Sequence, residues 1–185
     1  MNLYALSQLP LSAERGWPDL VRIRPSLARL FLFVVLPLSL LPPVMLYVAG
    51  THQPEMFPAD YSRRPWLAVA AVFYVAEIAT VLAMGWLTRQ VALGHQLAID
   101  HHDAFMLAAI APVPMWLSAL GLLTGSFPVA VVVALAGLAV SCGIVYHGVL
   151  ALCRTREAVL AGGIVQSVIG AGLVAWAFLL LLALA

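Results

Sequence analysis

Five long apolar blocks occupy most of this chain and restrict the folds that it can adopt. They are residues 30–49, 66–88, 105–124, 127–150 and 158–184. Each holds about 20 or more mostly apolar residues, the length that a helix needs to cross about 30 Å of hydrocarbon. A chain that is 64% hydrophobic and 9% charged could not hide this surface as a water-soluble domain. We therefore predict an all-α, polytopic integral membrane protein with five transmembrane helices.

The arginines predict the orientation of these helices. Seven of the nine lie in the N-terminal segment and in the second and fourth connections, whereas Arg63 and Arg64 lie in the first connection. Arginine accumulates on the cytoplasmic side of membrane proteins. The N-terminus is therefore expected inside and the C-terminus outside. This gives a cytoplasmic N-terminal segment, residues 1–29, and a five-span transmembrane domain, residues 30–185.

The N-terminal segment mixes apolar and charged residues before the first block. Trp17 carries an amphipathic ring suited to the headgroup layer, and arginines flank it. One interpretation is a short helix lying on the inner leaflet. The other is an irregular basic tail, because Pro10, Pro18 and Pro25 divide the segment.

Glu77 is the exception to the apolar pattern, because it lies near the middle of the second block. A carboxyl group at the bilayer centre costs about 2.5–3.5 kcal/mol on insertion scales, and such groups usually face the interior of the bundle. In its neutral form it could donate a hydrogen bond to Thr80 or to another span. The alternative is a proton or cation site. His147 is the nearest ionisable candidate by type, although it lies roughly 8 Å shallower.

Prolines and small residues suggest further structure within the blocks. Pro37 and Pro42 interrupt the first block, and Pro112 and Pro114 interrupt the third. Each predicts a kink, which serves either helix packing or a broken-helix binding cavity. In the fifth block small residues recur at i+4 spacing, which favours a helix-packing face or, alternatively, a dimer face. These residues are Gly163, Ser167, Ala171 and Ala175.

Metal-ligand residue types gather in the second connection, at His95, Asp100, His101, His102 and Asp103. Their spacing matches no standard zinc pattern, so a solvated loop or an acidic cap on the third span is favoured over a metal site. No hydrolase elbow, phosphate loop or zinc-protease motif occurs. We therefore expect no enzymatic activity and no cofactor. The net charge of +1 implies no nucleic-acid partner.

The order of landmarks resembles that of bacterial members of the Yip (Ypt-interacting-protein-like) family. The resemblance rests on WPDL at 17–20, LPLSLLP at 36–42, MGWL at 84–87, AAIAPVPMWL at 108–117 and GIVYHGVL at 143–150. It implies five spans and a cytoplasmic N-terminus. Family members often carry a proline where residues 150–152 read LAL. Eukaryotic relatives are linked to Rab-type GTPases, a role that does not carry over to bacteria.

Two functions are compatible with these features. The first is a non-enzymatic scaffold or assembly factor of the bacterial cytoplasmic (inner) membrane, which would bind a membrane-protein partner or a second copy of itself within the lipid bilayer. The second is a small permease or channel with a proton- or cation-binding site at Glu77. Such a protein would use the proline-broken first and third spans.

Overall fold

A computed structural model describes residues 9, 16–57, 64–97, 99–153 and 158–184. The regular structure over these ranges is helical. Five helices are long and apolar enough to cross a membrane, and we call them the first to fifth spans. They are Leu27–His52, Trp66–Gly94, His101–Thr124, Phe127–Leu152 and Gly162–Leu181. The five-helix fold expected from the apolar blocks is confirmed, and the helix containing the fifth span is Ala158–Leu184.

The first span is not a continuous α-helix. It consists of Leu27–Leu30, a π-helical segment Phe31–Val35, the short piece Leu36–Leu38 and, after a turn, Leu41–His52. Proline lacks the N–H that continues a helix, which accounts for a break beside Pro37 and Pro42. Carbonyl groups freed in lipid need another donor. The Tyr74 hydroxyl of the second span supplies one, donating to the Leu36 carbonyl at 3.2 Å.

The third span is broken in the same way. The α-helix His101–Ile110 ends at a turn that contains Pro112, and Val113–Ser118 follows. The last part, Ala119–Thr124, narrows to a 3₁₀-helix. Gly125 then adopts a left-handed conformation, with φ at 66°, and reverses the chain. The third and fourth spans therefore form an antiparallel hairpin.

The second span lies at the centre of the bundle and packs against the first, third and fifth spans. Glycines bring the helices together, because they leave room for side chains of the neighbouring span. A Cβ atom at Gly85 would lie 2.7 Å from the Phe105 ring. One at Gly137 would lie 2.8 Å from the Pro114 carbonyl oxygen. The bundle interior is therefore shaped by close contacts at these points.

The N-terminal helix Trp17–Ile23 packs against one end of the bundle, which we call the Trp17 end. The Trp17 side chain is 0% exposed, and its indole N–H donates to the Leu9 carbonyl at 3.0 Å. The ring is therefore packed inside the protein and is not exposed on its surface. The reason is Gly148 of the fourth span, where a Cβ atom would lie 2.6 Å from both the Trp17 ring and Leu107. The missing side chain leaves a slot that the indole fills.

Candidate functional site

A cavity of about 750 Å³ lies inside the bundle, and residues of all five spans line it. Along the second span its lining runs from Phe73 to Thr88, about 22 Å at 1.5 Å per residue. Most of the lining is apolar. Polar residues are few, and they include one carboxyl group. The cavity volume lies within the roughly 300–1,000 Å³ range of small-molecule sites.

That carboxyl group belongs to Glu77. Phe73, Glu77, Val81 and Thr88 share one buried face of the second span, because residues four apart lie above one another on a helix. The Glu77 residue is 6% exposed and lines the cavity. Trp116 of the third span lies beside its carboxyl group. One carboxyl oxygen, Oε2, is buried and has no hydrogen-bond partner among the residues that the structure describes.

A second polar atom in the cavity wall is also unpartnered. Ser141 of the fourth span is 8% exposed and lines the cavity, and its Oγ atom makes no hydrogen bond within the described part of the chain. Most buried polar side-chain atoms have a partner, so two unpartnered atoms on residues that line one cavity are unusual. Two other lining hydroxyls, those of Thr80 and Ser118, donate to carbonyl groups of their own helices. Thr80, for example, donates to the Ala76 carbonyl at 2.8 Å.

The structure joins some of the residues singled out in the sequence and separates others. Glu77, Thr80, Pro42 and Pro112 all line the cavity. The Thr80 hydroxyl donates to its own helix, and Glu77 Oε2 does not donate to it, so the hydrogen bond from Glu77 to Thr80 that the sequence suggests is not seen for this oxygen.

His147 lies apart from this group. Its ring packs edge-on against the Tyr146 ring, at a centroid distance of 5.1 Å, and His147 is outside the cavity lining. Pro37 and Pro114 also lie outside the lining. Sequence reasoning missed Trp116, whose only signal is its position two residues after Pro114.

The cavity wall is open on one side. Three lining residues of the fourth span, Phe127, Val131 and Leu135, are exposed on the outer surface of the bundle. Two lining residues of the fifth span, Leu173 and Leu180, are exposed as well. Since these side chains border both the cavity and the surface, the cavity opens between the fourth and fifth spans. In a membrane this opening faces lipid.

The polar connection before the third span forms a separate cluster. Arg24 makes an ion pair with Asp100, and His102 Nε2 lies 3.0 Å from the Pro25 carbonyl. Asp100 occupies the N-cap position of the third span but makes no side-chain cap hydrogen bond. Within the described ranges, no three His, Cys, Asp or Glu residues are arranged to hold a metal ion. This cluster ties the N-terminal segment to the third span.

The stripe of small residues in the fifth span has mixed surroundings. Gly163 faces the His95 ring, and a Cβ atom at Gly163 would lie 3.0 Å from the His95 Cε1 atom. Ser167 is exposed and donates to the Gly163 carbonyl at 2.9 Å. Ala171 and Ala175 line a shallow groove against the second span. The buried face of this helix is formed instead by Ile164, Val165, Val168 and Leu179.

The two cysteines, Cys142 and Cys153, are free thiols. Cys142 lines the cavity. Cys153 follows the fourth span, and burial raises the pKa of its thiol. A raised pKa reduces the thiolate fraction at neutral pH, so Cys153 should react slowly with alkylating reagents.

Comparison with known proteins identifies the family. No curated protein and no solved structure matches this chain. The model of the Yip1 domain family matches residues 8–179, which include the N-terminal helix, all of the first four spans and most of the fifth. The chain therefore belongs to the Yip1 domain family and is a multi-pass membrane protein of that family.

Proposed function

We propose that this protein binds a small molecule or cation inside its bundle, as a non-enzymatic permease or carrier of the bacterial cytoplasmic membrane. The single observation that carries the proposal is the buried, unpartnered carboxyl oxygen Oε2 of Glu77, a residue that lines a cavity of about 750 Å³. A membrane helix that kept a carboxyl group only for packing would be expected to satisfy both of its oxygens. An unpartnered oxygen on a residue that lines a cavity instead favours a ligand.

The broken helices support the same proposal. In transporters, interrupted spans surround binding sites near the middle of the membrane, because irregular backbone is tolerated only where it lines a cavity or is buried in protein. Pro42 of the first span and Pro112 of the third both line this cavity. The two breaks therefore lie at the wall of the space that Glu77 faces.

A membrane scaffold or assembly factor is the second candidate. The observation in its favour is the N-terminal helix, which is fixed to the bundle by the buried Trp17 and presents exposed charge at Arg22. A fixed, charged surface suits a protein partner. A scaffold, however, has no need of an open interior with an orphan carboxyl group, so we rank it second.

Native mass spectrometry of the protein released gently from its own membrane tests the proposal. We expect the wild type to retain a small molecule or ion and Glu77→Gln, which keeps a hydrogen-bonding group, to lose it. Glu55→Gln is the matched control, because Glu55 is exposed and outside the cavity. A defined homo-oligomer or a stoichiometric protein partner without any ligand would favour the scaffold.

The orientation with the N-terminus inside is part of the same proposal and has its own test. Glu55→Cys and Ser26→Cys place single thiols at exposed positions on opposite ends of the first span. Both are made in a background with Cys142 and Cys153 changed to alanine. A membrane-impermeant maleimide applied to intact cells should label Glu55→Cys and should label Ser26→Cys only after lysis. The reverse pattern would overturn the proposed orientation.

A further inference from the structure

We infer that the ligand of this cavity is a hydrophobic organic cation, such as a lipophilic amine or a quaternary ammonium or phosphonium ion. The inference rests on the proposed function, because it names the chemical class of the molecule that the Glu77 cavity would take. It depends on four observations: the charge of the lining, its aromatic rings, the lateral opening and the cavity size.

The charge of the lining is one-sided. Among the described residues that border the cavity there is no Arg, Lys or His, and Glu77 is the acidic residue there. A carboxylate without a partner is very costly to bury, and a cation at hydrogen-bonding or ion-pair distance removes most of that cost. An anionic ligand would find no positive side chain on this wall. A cation would find the Glu77 carboxyl group, whose Oε2 has no partner among the described residues.

Aromatic rings surround the same space. Trp116 both contacts the Glu77 carboxyl group and lines the cavity, and Trp176 of the fifth span lines it from the other side. The lining also includes Phe57, Phe73 and Phe127. The faces of aromatic rings attract cations, and tryptophan does so most strongly. Rings together with one carboxyl group therefore favour a cation whose charge is carried on an apolar body.

The position of the opening selects for lipid-soluble molecules. The cavity opens between the fourth and fifth spans at Phe127, Leu135 and Leu173, side chains that would face acyl chains. A strongly hydrated ion has no reason to approach from there. An amphipathic cation partitions into the membrane and could enter sideways. The volume of about 750 Å³ is sufficient for a molecule of drug size.

Two probes of nearly equal size and shape and opposite charge test this inference. They are tetraphenylphosphonium and tetraphenylborate. Binding of radiolabelled tetraphenylphosphonium is measured by equilibrium dialysis on the full chain in nanodiscs, with empty nanodiscs of the same lipid as the blank. We expect saturable binding of one phosphonium ion per chain. Unlabelled tetraphenylphosphonium should compete, and tetraphenylborate should not.

Variants at the carboxyl group and at the ring separate charge from packing. Glu77→Gln should weaken phosphonium binding by about 100-fold or more, since it removes the buried counter-ion. Trp116→Phe keeps a ring and should cost only a few-fold, whereas Trp116→Leu should cost about ten-fold. Glu55→Gln should bind as the wild type does. A thermal unfolding curve for each variant shows that it is folded.

The outcomes keep this inference and the proposed function apart. Equal competition by tetraphenylborate, or wild-type binding by a folded Glu77→Gln variant, would overturn the cation inference. If the phosphonium ion does not bind but native mass spectrometry finds a neutral molecule that Glu77→Gln loses, the cation class is wrong and the ligand-binding function stands. If neither a probe nor a retained molecule is found, both are wrong.

Discussion

The two ends of the bundle are packed differently. At the Trp17 end, one large cluster of buried side chains joins the N-terminal helix to all five spans. Toward the opposite end, where Gly125 turns the chain, the buried cluster consists of Phe73 and Leu179 with a few half-buried neighbours. The cavity begins beside Phe73 at this second cluster and reaches the large cluster, to which its lining residues Val81, Leu107 and Trp116 belong. Trp17 and Gly148 lie outside the cavity lining, so the packing of the Trp17 slot and binding in the cavity can be changed separately.

The fourth span shows the same contrast within one helix. Its last nine residues include the buried Ile144, Val145, Gly148, Val149 and Leu152. Its first ten residues are half-buried or exposed, and several of them border the cavity. The less buried half is the more apolar one in sequence, because the other half contains Tyr146 and His147, so hydropathy does not predict which half is buried. The last half packs against the N-terminal helix, where Gly148 lies against Trp17.

The largest loss of stability at the Trp17 end should come from Trp17→Ala. Loss of a fully buried tryptophan costs about 3–5 kcal/mol in well-packed cores, and here it also releases the hydrogen bond to the Leu9 carbonyl. We expect a marked fall in Tm, measured on the protein in nanodiscs. Phosphonium binding at a temperature where the variant is folded should change little, because Trp17 is outside the cavity lining.

Ile23→Ala is the control for that experiment, because Ile23 lies on the same helix and is 51% exposed. Its Tm should stay close to that of the wild type. An equal loss for both variants would mean that the N-terminal helix contributes through its apolar surface in general. The close fit of the Trp17 side chain would then not be what stabilises this end of the bundle.

Glu77→Leu should shift stability in the opposite direction. A mid-membrane carboxyl group costs about 2.5–3.5 kcal/mol on insertion scales, so its replacement by leucine should raise Tm while abolishing binding. A gain in stability coupled to a loss of function would mark Glu77 as a binding residue. A fall in Tm would show instead that Glu77 holds helices together through Trp116. Unchanged stability and phenotype would contradict both interpretations.

The sequence predicts the spans well because length and hydropathy are local properties. The breaks in the first and third spans also follow from single residues, since Pro37, Pro42 and Pro112 remove backbone donors wherever they occur. Depth along the membrane can likewise be counted at 1.5 Å per residue. That count separates His147 from Glu77 correctly.

What the sequence does not reveal is the direction in which each side chain points around its helix. The spans are apolar on every face, so no amphipathic pattern shows which residues face inward. The sequence therefore could not show that Trp116 and Ser141 line the same cavity as Glu77. The slot for Trp17 was equally hidden, because it is created by Gly148, 131 positions away in the chain.

Gly148→Ala sharpens the comparison with a smaller change. The added methyl group would lie 2.6 Å from Leu107 and from the Trp17 ring, and overpacking of this kind costs about 1–3 kcal/mol. Gly170→Ala is matched to it, because nothing lies within 4 Å of its Cβ position. We expect Gly148→Ala to lower the free energy of unfolding and Gly170→Ala to leave it within about 0.5 kcal/mol of the wild-type value. Equal effects would show that the slot is not tight.

The smallest effect should come from Asp100→Ala, which removes the ion pair between Arg24 and Asp100. Both side chains are more than half exposed, so the pair should contribute about 1 kcal/mol or less. We expect a small fall in Tm at low salt that disappears at high salt, because exposed charges are screened. Asp19→Ala, which breaks the exposed pair with Arg22 inside the N-terminal helix, is the control.

A large loss for Asp100→Ala that persists at high salt would change the account of the Trp17 end. The ion pair and the contact of His102 with the Pro25 carbonyl would then hold the N-terminal segment in place. Burial of Trp17 would follow from these polar contacts. Combining Asp100→Ala with Trp17→Ala decides between the two. Additive losses mean independent attachments, whereas a double variant no less stable than Trp17→Ala means that the ion pair forms only after the indole is buried.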